Sequence, residues 1–274
     1  MASTPDHLTQ IVRSGDPERW LSVLYAPEDR REALLSLYAF NVEVARIRDA
    51  VREPLPGEIR LQWWRDAIAA PAGAMTGNPV ADSLRATIAT CDLPLPAFDN
   101  MLEARIFDLY DDPMPDRTTL EGYCGETAGA LIQFAALVLD REAAMAHAAL
   151  AGHAGCAQAI AGLLRLLPVH RARGQCYVPA DILAAAGIDR DTFLAGGPGS
   201  DRAVSAMAAL GREHVSAFER GAGALPASLR PAYLPAAFAG AHLSRIEAAP
   251  LDGGRPLSAL RRHWIALRKA SRGW

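Results

Sequence analysis

The sequence is poor in the residue types that bring proteins to nucleic acid. Lysine occurs once, as Lys269, and 28 basic residues against 31 acidic ones give a formal net charge of −3. Binding to a phosphate backbone needs a clustered excess of positive charge. A nucleic-acid partner is therefore not expected.

Paired cysteines and long apolar runs are also missing. The four cysteines are far apart and form no C-x-x-C pair: Cys91, Cys124, Cys156 and Cys176. Isolated thiols in apolar surroundings indicate reduced, buried cysteines and a reducing compartment. No stretch reaches the roughly 18 uncharged apolar residues of a spanning helix, and Met1–Gly15 lacks the apolar run of a signal peptide. We expect a cytoplasmic protein, with a location peripheral to the inner membrane as the alternative.

Residues that favour strands are few. Aromatic residues make up 7% of the chain, whereas hydrophobic residues make up 50% and are mostly alanine and leucine. This balance favours helix over strand. A nucleotide-binding loop, a G-x-S-x-G elbow and an H-E-x-x-H pair are all lacking, so NTPase, hydrolase and metalloprotease functions have no support.

Apolar periodicity predicts a succession of helices with no repeat or linker to divide them. The predicted helices cover residues 27–51, 57–70, 79–90, 96–110, 118–139, 141–167, 180–186, 201–221, 230–248 and 256–272. Thr118 and Glu121 have the spacing of a capping box. Pro168 is expected to break its helix, and 170–179 to form a polar loop. The economical interpretation is a single domain, residues 1–274.

Helical spacing also predicts burial. In the second helix, the residues expected to face the core are Ile59, Leu61, Trp63 and Trp64. Leu166 continues an apolar helical run, so it is expected to pack in the interior.

Three segments together carry a family resemblance that spans most of the chain. They are Tyr38-Ala39-Phe40, Tyr123-Cys124 with Ala128-Gly129, and Gly155 through Gly174-Gln175-Cys176-Tyr177-Val178-Pro179. These segments resemble the squalene/phytoene synthase family. The resemblance implies an all-α bundle of the isoprenoid-synthase type around a central cavity, where two aspartate-rich helices hold Mg²⁺ on prenyl diphosphates.

Most of the family's metal-binding carboxylates are replaced in this chain. In the first motif the leading aspartates fall at Ala45 and Arg46, and only the trailing one persists, as Asp49. In the second motif they fall at Leu166 and His170. Carboxylates four apart share a helical face and can clamp the metal ions that neutralise a departing diphosphate. We therefore expect no cofactor and no prenyl transfer.

The replacements themselves resemble one branch of the family. The segments concerned are Phe40-Asn41-Val42-Glu43, Arg48-Asp49-Ala50-Val51, Gln62-Trp63-Trp64-Arg65 and Leu164-Arg165-x-x-Pro168-x-His170. That branch includes the mitochondrial assembly factor for respiratory complex I and its bacterial relatives. The resemblance implies a non-catalytic accessory or assembly factor whose partner is a respiratory-complex subunit, with an isoprenoid lipid as a candidate ligand.

Two alternatives stay open. One is an active farnesyl or geranylgeranyl diphosphate transferase, whose candidate Mg²⁺ ligands form a rearranged set of Asp49, Asp108, Asp111 and Asp112. Asp108, Asp111 and Asp112 have i, i+3, i+4 spacing and share a face if their helix continues that far, although we favour a solvated helix end before Pro113. The other alternative is an isoprenoid carrier.

The candidate site residues follow from these motifs. The catalytic candidates are Asp49, Asp108 and His170. The substrate or anion-binding candidates are Tyr38, Arg48, Gln158, Arg165 and Arg173. Arginine suits bidentate phosphate recognition. A lone histidine at a helix end more often caps or packs, which is our preferred interpretation of His170, and His147 and His153 are interpreted as structural.

The C-terminal segment has the pattern of a basic amphipathic helix. Its apolar residues at helical spacing are Leu257, Leu260, Trp264 and Leu267. Its basic residues are Arg261, Arg262, Arg268, Lys269 and Arg272. Such a helix can lie in an anionic membrane interface as a peripheral contact. A helix docked on the bundle by its apolar face is the preferred interpretation.

Overall fold

The computed structural model describes residues 4–71 and 73–274, and that part of the chain contains helices and no strand. The α-helices are α1 (Thr4–Gly15), α2 (Pro17–Val23), α3 (Glu28–Ala45), α4 (Pro54–Ala69), α5 (Pro79–Cys91), α6 (Leu95–Ala104), α7 (Arg117–Cys124), α8 (Ala130–Leu139), α9 (Arg141–Ala146), α10 (Ala148–Arg165), α11 (Leu167–Ala172), α12 (Ala180–Ala185), α13 (Arg190–Ala195), α14 (Ser200–Ala222), α15 (Arg230–Tyr233), α16 (Ala239–Ala248) and α17 (Ala259–Arg272). The all-α prediction is confirmed.

The chain divides into two compact units. The first comprises Met1–Tyr110, Ala130–Ala148 and Pro226–Leu234, and the second comprises Asp111–Gly129, Ala149–Leu225 and Pro235–Trp274. The single-domain organisation stays a prediction.

The core of the first unit is built around α3. Residues 34–42 of this helix are all buried, so this part of α3 is surrounded by other elements on every side. Such burial is typical of a helix that lies in the core of a domain. Phe40 lies edge-on to Trp64 at 5.1 Å, and Phe98 stacks on Phe134 at 4.1 Å. Such aromatic contacts add to the burial that joins α3 to its neighbours.

Two helices of the first unit differ from the prediction at their ends. The helix predicted over 27–51 stops at Ala45, and a 3₁₀ turn, Arg48–Ala50, follows it. Helix α4 starts at Pro54 instead of residue 57, since proline is tolerated in a first helical turn. Pro54 is therefore the first residue of α4.

The buried face of α4 is narrower than predicted. Leu61 and Trp64 are buried, whereas Ile59 is 62% exposed and Trp63 is 39% exposed. Residues 61 and 64 are three apart and share a face, while 59 and 63 are four apart and lie on another. The expectation that all four face the core is wrong for Ile59 and Trp63.

The helix predicted over 96–110 also ends early. Helix α6 stops at Ala104 and a 3₁₀ segment, Arg105–Leu109, replaces its last turns. Tyr110 then adopts an extended conformation. The residues beyond it are consequently not on a helix.

In the second unit, the helix that starts at Arg117 is capped by Asp116, whose side chain accepts a hydrogen bond from Thr119 N at 2.8 Å. The predicted cap, Thr118, is instead inside the first turn. One π-helical turn, Gly125–Gly129, connects α7 to α8. The continuous stretch 117–139 is long and apolar enough to cross a membrane by composition, but 56% of its most apolar window is buried, as in a core helix.

The stretch predicted as one helix over 141–167 is interrupted at His147 and ends at Arg165. Pro168 lies in the first turn of the next helix, α11, and does not begin a loop. His170 is consequently a buried helical residue, and the polar loop starts only after α11. The largest helix of this unit, α14, packs against α12 and α16.

Candidate functional site

The candidate site residues lie in both units. The first unit holds Tyr38, Arg48, Asp49 and Asp108. The second unit holds Asp111, Asp112, Gln158, Arg165, His170 and Arg173.

Asp108 is paired with an arginine three residues before it. Arg105 Nη1 donates to Asp108 Oδ2 at 3.0 Å, and its Nη2 donates to Asn41 Oδ1 at 3.3 Å. Only 11% of the Asp108 side chain and 15% of the Arg105 side chain are exposed. The 3₁₀ turn Arg105–Leu109 produces this pairing because side chains three apart eclipse on such a turn. The carboxylate is therefore largely neutralised by a neighbouring cation.

The other candidates of the first unit lie in or just after α3. Tyr38 is buried, and this burial raises the pKa of its phenol to about 12 despite the nearby Arg19 and Ser22. The phenol is therefore neutral at physiological pH. Arg48 Nη1 donates to the Val51 carbonyl at 3.3 Å. Asp49 lies on the exposed 3₁₀ turn that follows the helix.

Arg46, at a former leading-aspartate position, lines an open cleft of about 460 Å³ in the first unit. Arg60, Trp63 and Asn78 line the same cleft, and the Asn78 amide donates to Glu43 at 3.2 Å. The position where the resemblance predicts a lost aspartate is thus cationic and exposed.

His170 belongs to a ring cluster in the second unit. Its imidazole is 4.7 Å from the ring of Tyr177, and Tyr177 is 6.1 Å from Tyr123. The His170 carbonyl accepts from Gln175 N at 2.9 Å, which fixes the turn after α11. The imidazole is buried and packs against the Tyr177 ring.

The helix that carries Tyr123 crosses α10 at very short range. A Cβ on Gly155 would lie well under 3.0 Å from the backbone of Gly129, so position 155 has no room for a side chain. Both glycines belong to the segments that resemble the family. Their conformational role is to let two helix backbones meet.

The remaining candidates of the second unit are dispersed. Arg165 Nη1 lies 3.4 Å from His242 Nε2. Gln158 is half-buried on α10, and Arg173 is exposed at the end of α11. Leu166 is 52% exposed, so the expectation that it packs in the interior is wrong.

The acidic triad does not form a helical face. Asp111 and Asp112 are exposed and follow Tyr110, which has an extended backbone. The three aspartates are therefore not on one helix, and their i, i+3, i+4 spacing does not place them on a common face. Arg190 Nε donates to the Asp111 carbonyl at 3.0 Å. Over residues 4–71 and 73–274, no group of three His, Cys, Asp or Glu side chains could hold a metal ion.

The side chains at the positions where the family resemblance predicts metal ligands do not suit Mg²⁺. This ion takes oxygen ligands, with carboxylates among them. Ala45 and Leu166 offer no such ligand, Arg46 is a cation, and His170 is an imidazole packed on an aromatic ring. Asp108 is a carboxylate but already binds a guanidinium. These side chains therefore do not offer Mg²⁺ the set of free carboxylate oxygens that it prefers.

The second unit contains a polar cluster that the sequence did not indicate. His214 Nε2 lies 2.9 Å from Glu121 Oε1, and its Nδ1 lies 3.1 Å from His153 Nδ1. Arg117 Nε donates to the same Glu121 oxygen at 2.9 Å. His153 and His214 are 61 residues apart, so no local spacing could predict their contact.

Burial and charge shift two groups of this cluster. Burial raises the pKa of Glu121, but hydrogen bonds from Arg117 and His214 outweigh it and hold the pKa below its usual value. Burial, with the nearby His214 and Arg220, lowers the pKa of His153. If a neutral His214 donates its Nε2–H to Glu121, its Nδ1 accepts a hydrogen bond from the Nδ1–H of His153.

Solved structures define the class of the protein. The TM-score is 0.81 with a dehydrosqualene synthase in complex with ligand, at 16% identity over 97% of this chain and 94% of the other. It is 0.73 with the squalene synthase HpnC from Alicyclobacillus acidocaldarius, at 22% identity over 93% and 95%. At these identities the likeness shows the fold, which is the helical isoprenoid-synthase fold.

Sequence comparison narrows the class to one family. The profile of squalene/phytoene synthase matches residues 12–264, so the chain belongs to that family. The chain is 28% identical to NADH dehydrogenase (ubiquinone) complex I, assembly factor 6, of Mus musculus, and the match covers 89% of this chain and 74% of that protein. It is 30% identical to presqualene diphosphate synthase of Sinorhizobium fredii over 62% and 60%. The predicted family is confirmed.

Proposed function

We propose that the chain is a non-catalytic member of the family that acts as an accessory or assembly factor for a respiratory complex. The observation that carries the proposal is the Arg105–Asp108 ion pair, which occupies the carboxylate of the candidate residue Asp108 with a cation. An aspartate held by a guanidinium is a poor ligand for a cation, because the metal must displace the largely buried arginine from this ion pair.

The relatives support the same function. Complex I assembly factor 6 proteins from Mus musculus and Bos taurus match 89% and 92% of this chain. The proposed partner is accordingly a subunit of a respiratory complex. The proposed small ligand is an isoprenoid lipid, because solved relatives of the same fold are named for squalene and dehydrosqualene synthesis.

One observation favours a second candidate, a prenyl-diphosphate transferase that uses Mg²⁺. Presqualene diphosphate synthases of Sinorhizobium fredii and Zymomonas mobilis match 62% and 63% of this chain. In this alternative, Asp49 and Asp108 would serve as carboxylate ligands and turnover would depend on them.

Two measurements on the full chain separate these functions. With Mg²⁺ and farnesyl or geranylgeranyl diphosphate, we expect no diphosphate release above a no-protein blank. Turnover that is abolished by Asp49→Asn or Asp108→Asn establishes the transferase instead. Native mass spectrometry of protein extracted from its own cells in mild detergent is expected to show a bound respiratory subunit. A bound isoprenoid without any protein partner would point to a carrier.

A further inference from the structure

The C-terminal helix α17 presents an apolar ridge to solvent. Leu260 is 81% exposed, Trp264 is 65% exposed and Leu267 is 50% exposed. Their i, i+4, i+7 spacing places them along one face of the helix. The expectation that this apolar face docks on the bundle is therefore wrong, and only Leu257, before the helix, is buried.

The opposite face of α17 is the one that docks within the second unit. Ala266 is fully buried there. Lys269 Nζ lies 3.6 Å from a Glu219 oxygen and 5.4 Å from the centre of the Trp274 ring, and that ring is 5.2 Å from Phe218. These contacts with α14 fix the rotation of the helix, so the ridge points outward.

A row of arginines runs beside the ridge. Arg261, Arg268 and Arg272 have i, i+7, i+11 spacing and are exposed. No ion pair of any of them is found in the part of the chain that the structure describes, 4–71 and 73–274. Helix α17 carries five basic residues and no acidic one, in a chain whose formal net charge is −3. Positive charge is thus concentrated on α17, although the chain as a whole is negative.

We propose that this face of α17 is a binding site for an anionic lipid surface. Leu260, Trp264 and Leu267 enter the boundary between headgroups and acyl chains. Arg261, Arg268 and Arg272 bind lipid phosphates. A helix with an apolar ridge, an indole at headgroup depth and an arginine row beside it has the physical features of an interfacial helix.

The charge of the helix argues against a second copy of this chain as the occupant. Pairing two α17 ridges would bring five basic side chains of each copy together without an acidic residue from either helix. A stable dimer also buries roughly 800 Å² on each partner, which a ridge of three side chains does not supply. An anionic bilayer provides both the opposite charge and an apolar layer.

Vesicle flotation with the full chain tests the site. We expect binding to phosphatidylcholine vesicles that contain phosphatidylglycerol, weak binding to pure phosphatidylcholine, and loss of binding at high salt, which screens exposed charges. The variants Leu260→Ser/Trp264→Ser/Leu267→Ser and Arg261→Gln/Arg268→Gln/Arg272→Gln should each lower the partition coefficient at least about tenfold.

Helix α4 supplies a matched control. Its exposed apolar residues Leu55, Ile59 and Trp63 have i, i+4, i+8 spacing, but its charges are of both signs. Leu55→Ser/Ile59→Ser/Trp63→Ser should bind vesicles like the parent. Unchanged thermal unfolding of the α17 variants shows that they fold, since all their substituted side chains are exposed.

Three results overturn the site: no flotation of the parent, equal binding to neutral vesicles, or a parent dimer that dissociates when the ridge is replaced by serine. The proposal does not depend on the proposed function, because a transferase and an assembly factor would float equally. Depth-dependent quenching of Trp264 fluorescence by brominated lipid, absent in Trp264→Phe, gives a direct readout of insertion.

Discussion

Arg105 and Asp108 are joined within one 3₁₀ turn, with 3.0 Å between Nη1 and Oδ2. Because both side chains are largely buried, removing one charge takes away the opposite charge of this ion pair from the other. We predict that Asp108→Asn lowers the free energy of unfolding by about 2–3 kcal/mol, somewhat less than the roughly 3–5 kcal/mol of a fully buried pair. Urea denaturation measures it. A double-mutant cycle with Arg105→Met should show coupling, and additive effects would mean that the pair contributes nothing.

Gly155 is predicted to be intolerant of any side chain. Its added Cβ would collide with the Gly129 backbone, so Gly155→Ala should lower stability by about 1–3 kcal/mol through overpacking. Gly152, on the same helix, has nothing within 4 Å of its Cβ position. Gly152→Ala should therefore be neutral or stabilise by up to about 1 kcal/mol. Similar melting temperatures for the two variants would contradict the close crossing.

Leu166 and Leu164 are predicted to respond in opposite ways to a carboxylate. Leu166→Asp should change stability by no more than about 0.5 kcal/mol, because the side chain is 52% exposed. Leu164 is 1% exposed, and an aspartate there should cost several kcal/mol or neutralise by a raised pKa. Thermal unfolding of both variants is the measurement. A large loss in Leu166→Asp would place that side chain in the interior after all.

Glu121 should contribute stability that disappears in acid. Its pKa is lowered in the folded state, because hydrogen bonds from Arg117 and His214 outweigh the effect of burial. A lowered carboxylate pKa gives stability that is present above the usual value near 4.5 and is lost as pH falls through the folded value. The stability difference between the parent and Glu121→Gln should thus be full at neutral pH and shrink below about pH 4.5. A difference that is independent of pH would exclude this linkage.

His153 should make the parent less stable in mild acid. Partial desolvation is the main cause of its lowered pKa, with the neighbouring His214 and Arg220 adding to it and Glu121 partly opposing it. Stability is therefore complete above the usual value of 6.5 and is lost as pH falls through the lower folded value. In His153→Gln the melting temperature should vary less between neutral pH and about pH 5. Parallel pH profiles for the two proteins would refute the assignment.

Several features of the fold were accessible from the sequence because they depend on local order. Helix α5 was predicted over 79–90 and runs over Pro79–Cys91, since Asn78 caps it and the apolar period is regular. The bounds at α3 and α6 were missed. There the last predicted turns are 3₁₀ segments, Arg48–Ala50 and Arg105–Leu109. The spacing of apolar residues does not change at these points, so it gave no sign that the α-helix ends.

The sequence by itself determined the all-α class and the family, and its resemblance to that family predicts lost carboxylates at Ala45, Arg46, Leu166 and His170. The type of residue at a position can be read from the sequence without knowing the fold. Only the tertiary structure decided that His214 contacts Glu121 and that Leu260 and Trp264 face solvent. The physical reason is that periodicity defines the faces of a helix but not which face meets another helix. That choice depends on neighbours such as Glu219, which are distant along the chain.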